Sequence, residues 1–157
     1  MLSRRAKGKE GMVKEAASSV IVHASAVAFG ARGLLILGAS GRGKSALALA
    51  LTGAGAGLVA DDRVEIVSRG GALVGRAPAA TVGLVEARGV GILRLPAVPE
   101  AVLTLAVDLD RAPAARMPQG EAITYLGIRM ELILGRGVPH LDRVLTIVMQ
   151  NGRAFPN

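Results

Sequence analysis

Eight consecutive residues carry chemistry on their face: Gly38, Ala39, Ser40, Gly41, Arg42, Gly43, Lys44 and Ser45. They fit G-x-x-x-x-G-K-[ST] without departure, and each part has a physical task. The glycines let the backbone turn so that successive N–H groups point inward at phosphate oxygens. A helix starting at Lys44 puts the positive end of its dipole on the same phosphates. Lys44 supplies a point charge for the β- and γ-phosphates, and the Ser45 hydroxyl can ligate Mg²⁺. After Lys14, Lys44 is the only lysine in the chain. An apolar run before the segment and a helical run after it supply the strand-loop-helix context that such a loop needs.

Asp61-Asp62-Arg63 is the second constellation. Paired carboxylates at the end of a short apolar strand are costly to desolvate and need a reason to be there. A strand that returns from the loop's helix by a right-handed crossover would lie parallel to, and near, the first strand. Its carboxylates would then emerge at the same sheet edge as the phosphate loop. One could hold Mg²⁺ through water while the other accepts a proton from an incoming hydroxyl. Taken alone, the pair also fits a solvated turn opening a hairpin at Val64. His23, in an apolar β-type run, reads alone more readily as a packed structural histidine than as a functional one. Glu86 and Arg88, two residues apart, would share a face of a strand, either as a surface ion pair or as site residues.

These side chains need elements to position them. Residues 20–30 are rich in β-branched residues and predict strand, with a hairpin turn near residues 23–25. A turn is expected at residues 31–33, then a buried strand at 34–37. Residues 44–52 are mostly good helix formers, broken by the Gly-rich run 53–57. A short strand follows at 58–60, then a hairpin of 64–68 and 72–74 joined by Arg69-Gly70-Gly71. Residues 101–107 predict a strand, with Pro96, Pro99, Pro113 and Pro118 marking the loops around it. Residues 141–150 fit strand and helix equally.

Composition bounds the class. At 157 residues, 51% of them hydrophobic, the chain suits one domain with a real core. The first 17 residues read as a basic flexible arm, with Met12 an alternative start, and residues 18–157 as the domain. Aromatic residues are 2%, which excludes stacking platforms for single-stranded nucleic acid. The absence of Cys excludes disulfides, thiol catalysis and cysteine-based metal centres, and two His exclude a His-rich one. The net charge of +7 suits a site that must hold phosphates; no helix carries the dense basic stripe of a nucleic-acid binder. No apolar stretch is long enough to cross a membrane and no secretory signal is visible, so a cytoplasmic protein is expected.

Together the pieces resemble the C-terminal catalytic domain of bacterial HPr kinase/phosphorylase. His23 lies fifteen residues before Gly38, as the family's active-site histidine precedes its phosphate loop. GASGRGKS looks like the family's loop, and LVADDRVEI (58–66) is close to the family's form of that stretch. VEARGVGIL (85–93) resembles the family signature E-x-R-G-hydrophobic-G-I. The resemblance covers about residues 20–118 well and the rest weakly. It implies an α/β phosphate-loop kinase domain of the phosphoenolpyruvate-carboxykinase-like type, a mixed sheet with hairpin additions. It further implies that residues 38–45 bind ATP, that Ser45 and Glu86 ligate Mg²⁺, and that Asp62 is the proton acceptor in phosphorylation and the proton donor in reverse. His23 and Lys44 would belong to the active site. The family's later active-site arginine would be Arg116, with Arg111 as runner-up. The substrate implied is a serine of the phosphocarrier HPr, and the family's assembly is a hexamer.

Two departures qualify this. The family's separate N-terminal domain has no counterpart, as in the short form of alphaproteobacteria. The late Pro-Gly-Arg-Asn loop that serves dephosphorylation is not recognisable in residues 126–141, where Gly135-Arg136 is its only remnant. That leaves the phosphorylase reaction and the hexamer open. Two other readings stand beside the HPr kinase: a nucleotide-binding regulatory module with little turnover, and a small-molecule phosphate-loop kinase. ATP consumption with HPr present, against binding without consumption, separates the HPr kinase from the regulatory module; a small-molecule kinase would need a lid and an acceptor pocket, and no Arg-rich lid segment is evident.

Overall fold

The computed structural model describes residues 18–155. The basic arm expected at residues 1–17 lies outside them. Among the described residues, eleven strands and two α-helices make a mixed α/β fold. The strands are β1 (Ser19–Val22), β2 (Ala24–Phe29), β3 (Arg32–Leu37), β4 (Gly57–Ala60), β5 (Val64–Arg69), β6 (Ala72–Arg76), β7 (Leu84–Ala87), β8 (Gly91–Arg94), β9 (Ala101–Asp108), β10 (Ala122–Tyr125) and β11 (Ile128–Leu134). The helices are α1 (Lys44–Gly53) and α2 (Leu141–Asn151). Nine strands form one sheet in the order β1-β5-β6-β9-β3-β2-β4, with β11 pairing β9 and β10 pairing β11. Strands β7 and β8 form a separate hairpin.

The apolar run at residues 20–30 is not a hairpin. It bends once, at His23, and its two halves pair with different partners: β1 with β5, β2 with β3 and β4. One register runs through the bend, with Val22 opposite Val64 and Ala26 opposite Ala60. The chain therefore joins the two ends of the strand order, and the sheet curls on itself. Alternation explains why this run reads as strand throughout: Ala24, Ala26 and Ala28 pack inside the curl, while Val27 and Phe29 face the helices.

The turn expected at residues 31–33 falls one residue earlier, at Gly30 and Ala31, and Arg32 and Gly33 already belong to β3. Leu34, Leu35 and Ile36 in β3 are fully buried. Strand β3 is covered on both faces and parallel to β9, so its apolar run is continuous rather than alternating. Truncating any of these three to alanine should cost about 2–5 kcal/mol. Strand β4 does run parallel to β3, but β2 lies between them. The expected β5–β6 hairpin forms, but its turn is only Gly70-Gly71, since Arg69 still pairs with Ala72. Residues 141–150 are helical: Leu145 and Met149, one turn apart, are buried against the sheet. Among the described residues, no helix is long and apolar enough to cross a membrane.

Candidate active site

The phosphate loop leaves the buried end of β3 and runs into α1. Gly43 has φ 94° and Gly41 φ 84°, backbone conformations that an L side chain resists. Helix α1 has no side-chain cap and no acidic residue in its first turn, so its N-terminal amides and the positive dipole end face the loop uncompensated. Ala48 and Leu51 bury the other face of α1 against the sheet. Lys44 Nζ donates to the Gly38 carbonyl, curling the side chain over the loop.

Asp61 and Asp62, adjacent in sequence, go to different places. Both lie in the corner between β4 and β5, opposite the bend at His23. Asp61 is buried at 9% exposure. Its Oδ1 accepts hydrogen bonds from Ser25 Oγ at 2.7 Å and from Ser45 Oγ at 2.8 Å. Asp62 has φ 68°, uncommon for a residue other than glycine, and this backbone turns its side chain outward. Asp62 Oδ1 sits 3.4 Å from His23 Nδ1, both side chains being open to solvent. The pairing register explains the meeting: the two corners lie on one interrupted ladder.

A cavity of about 540 Å³ opens here. Ser40, Gly41, Gly43, Lys44 and Ser45 form one wall, with Ala46 and Leu49 of α1 behind them. Asp62 forms another side. Glu86, Ala87 and Arg88 close it from across, at the end of the β7–β8 hairpin. Glu86 belongs to β7, but Arg88 falls in the turn beyond it rather than on the strand. The hairpin is anchored to α1 and the sheet through Val85, 1% exposed.

The structure thus gathers Ser40, Gly41, Gly43, Lys44, Ser45, Asp62 and Glu86 around one space, with His23 touching Asp62. Gly38, Ala39 and Arg42 belong to the loop but do not line the cavity. Arg116 is exposed in the loop after β9, and Arg111 faces Glu121 at 3.6 Å; neither lines the cavity. Gly135-Arg136 follows β11, which is parallel to β9, so it emerges at the same sheet edge as the loop without lining the cavity. Two residues that sequence reasoning missed take part: Ser25, which holds Asp61, and Asp110, which holds Ala39 and Arg42. Neither carries a local signal, since each reaches a partner far along the chain.

The donors suit a hard divalent cation. The Ser45 hydroxyl gives its proton to Asp61, which leaves its oxygen lone pairs free, and Glu86 offers a carboxylate across the cavity. Among the described residues, no three His, Cys, Asp or Glu cluster as a metal cage. A cation here would complete its shell with phosphate oxygens and water, as Mg²⁺ does.

Comparison with known proteins agrees with this geometry. The family model described as "HPr Serine kinase C-terminal domain" matches residues 14–99. The HPr kinase/phosphorylase of Clostridium beijerinckii is 52% identical over 61 residues, 39% of this chain and 20% of the relative. That of Clostridium acetobutylicum is 50% identical over 66 residues, 42% of this chain and 22% of the relative. These matches thus span about a fifth of the curated relatives. A solved structure of the Hpr(Ser) kinase/phosphatase from Coxiella burnetii superposes with a TM-score of 0.72 at 26% identity, covering 84% of this chain and 95% of that one. A match over 84% of the chain reaches well beyond the phosphate loop. With more than half of its length matched by the family model, the chain belongs to the HPr serine kinase C-terminal domain family.

Proposed function

We propose that residues 18–157 form a kinase domain that transfers the γ-phosphoryl group of ATP to a serine hydroxyl of the phosphocarrier HPr. One observation carries this reading: the phosphate loop, Asp62 and Glu86 face each other across one cavity. The loop amides and Lys44 would hold the β- and γ-phosphates and offset the charge that shifts during transfer. Asp62 would accept the hydroxyl proton as the serine oxygen bonds to phosphorus and the bond to the β-phosphate oxygen breaks, releasing ADP. His23, 3.4 Å away, would orient that carboxylate. Ser45 and Glu86 would hold Mg²⁺, which neutralises phosphate charge when bound. Arg116 would serve from the loop that begins beside the site.

The reverse reaction would return the proton from Asp62 as inorganic phosphate takes the phosphoryl group. Its family loop is reduced here to Gly135-Arg136, so phosphorolysis should be slow beside the forward reaction. The test is direct. The protein is incubated with labelled ATP, Mg²⁺ and HPr, and the phosphate is located by mass spectrometry. Phosphoserine on HPr is expected. ATP bound but never consumed in the presence of HPr would replace the kinase by a nucleotide-binding regulatory module.

A further inference from the structure

Among the described residues, the carboxylate of Asp110 is the one side chain outside the loop that hydrogen-bonds the first half of the loop. Its position follows from sheet register. Strands β3 and β9 are parallel, with Leu37 opposite Asp108. The ladder continues one step further, Leu109 N donating to Leu37 O at 2.9 Å. There β3 turns away into the loop, and the next amide finds a side chain instead of a strand. Ala39 N donates to Asp110 Oδ2 at 2.9 Å and Oδ1 at 3.1 Å. Arg42 Nε lies 3.1 Å from the same Oδ1. Asp110 is itself held, because its own amide donates to Asp108 Oδ1 at 2.8 Å.

Ala39 and Arg42 are the two ends of one turn, with Arg42 N donating to Ala39 O at 3.1 Å. Holding both ends fixes the turn. This matters because side-chain packing does not hold two of the loop's glycines. Gly41 and Gly43 have open space where a side chain would stand, so packing does not restrain them. A loop that must be ordered when phosphate arrives loses affinity to that ordering; one ordered in advance does not.

We propose that Asp110 is the positioning residue of the phosphate loop. It holds Ala39 and Arg42 so that the amides and Lys44 face the cavity before nucleotide binds, and it keeps the Arg42 guanidinium on the outer side. The inference rests on the nucleotide-binding reading above.

Its consequence has an unusual sign. Asp110 is an acid close to a site for anions. By charge alone, removing it should tighten nucleotide binding. By preorganisation, removing it should weaken binding. Titration of the full chain with N-methylanthraniloyl-ATP in EDTA decides between these. Asp110→Ala should weaken binding by roughly tenfold, the scale of a lost charge-assisted hydrogen bond. Asp110→Asn, which keeps an acceptor for the Ala39 amide, should lose less. Melting of the nucleotide-free protein should not move in step with affinity, and loop amides of Asp110→Ala should exchange hydrogen faster. Binding by Asp110→Ala equal to or tighter than wild type overturns the proposal. So does a fall in nucleotide-free melting large enough to account for the loss in both variants. Lys44→Ala serves as reference. If it loses binding while Asp110→Ala does not, this inference alone fails. If Lys44→Ala binds normally, the nucleotide-binding reading fails and takes the inference with it.

Discussion

The two ends of strands β3 and β9 are built from similar residue types and do different things. At their carboxyl ends, Asp61, Asp62 and Asp110 gather with Ser45, Lys44 and Arg42. Two of the acids there are tied into the backbone or the interior: Asp61 takes two hydroxyl hydrogen bonds while 9% exposed, and Asp110 binds a loop amide, whereas Asp62 stays open to solvent beside His23. At the opposite edge, Glu100 just before β9 pairs with Arg69 at 2.6 Å. That pair is exposed, side chain to side chain, and contributes little beyond trimming the surface. The same residue types thus line the candidate site at one edge and form a solvated pair at the other. Chain geometry makes the difference: loops, a helix N-terminus and two corners converge at the carboxyl edge, where phosphate oxygens can replace water.

The largest expected effect lies on the loop. Lys44→Ala should abolish phosphoryl transfer and leave the far-ultraviolet circular dichroism unchanged, because the loop is a surface feature on a buried strand. No other lysine lies beyond the first 17 residues to replace it. Transfer at the wild-type rate would erase the contrast between the edges. Next comes Asp62→Asn, which keeps size and removes the proton acceptor. Transfer should fall by about 10²–10⁴, with nucleotide affinity little changed. If affinity collapses as in Lys44→Ala, Asp62 belongs to the binding wall and not to the chemistry.

The carboxyl edge was legible in the sequence where its signals are local. The loop pattern, the helix after it and the Asp-Asp pair all lie within consecutive residues, so spacing exposes them. What sequence could not supply was register. Ser25 reaches Asp61 across 36 residues and Asp110 reaches Ala39 across 71, and neither residue type is unusual where it stands. The break near His23 was expected, but as a hairpin turn, for another reason. Apolar alternation continues unbroken on both sides of it, and only the change of pairing partner reveals that β1 and β2 are separate. Residues 141–150 were ambiguous because a short apolar run lacks a decisive period; packing of Leu145 and Met149 against the sheet settles it as helix. Asp61 and Asp62 were a pair in sequence, and the φ of 68° at Asp62 divides them.

A third variant separates metal from nucleotide at the same edge. Glu86→Gln should raise the Mg²⁺ concentration needed for half-maximal transfer while leaving metal-free binding of N-methylanthraniloyl-ATP close to wild type. Equal Mg²⁺ dependence would remove Glu86 from the metal site. Ser25→Ala should act more weakly in the same direction. It takes one of two hydroxyl hydrogen bonds from Asp61 and so loosens the carboxylate that orients Ser45. Its effect should sit below that of Glu86→Gln; a larger one would make the buried Ser25–Asp61 contact the principal metal determinant.

The smallest effect belongs to the opposite edge and has a definite pH dependence. Hydrogen bonding to Arg69 above all, joined by the positive charges of Arg69 and Arg76, holds the Glu100 carboxyl below the usual carboxylate range. A carboxylate whose folded pKa is depressed adds stability above its unfolded pKa, about 4.3 for glutamate, and loses it as pH falls through the folded value. Glu100→Gln should therefore unfold at slightly lower denaturant than wild type at pH 7, with the gap closing toward pH 3. The pair is fully exposed, so the gap should be small and should shrink in high salt. Nucleotide affinity should not change at any of these pH values, since Glu100 stands at the far edge from the cavity. A gap that widens on acidification would reverse the assigned sign. A change in nucleotide affinity would mean that the two edges are coupled through β9, and the separation between surface pair and machinery would fail.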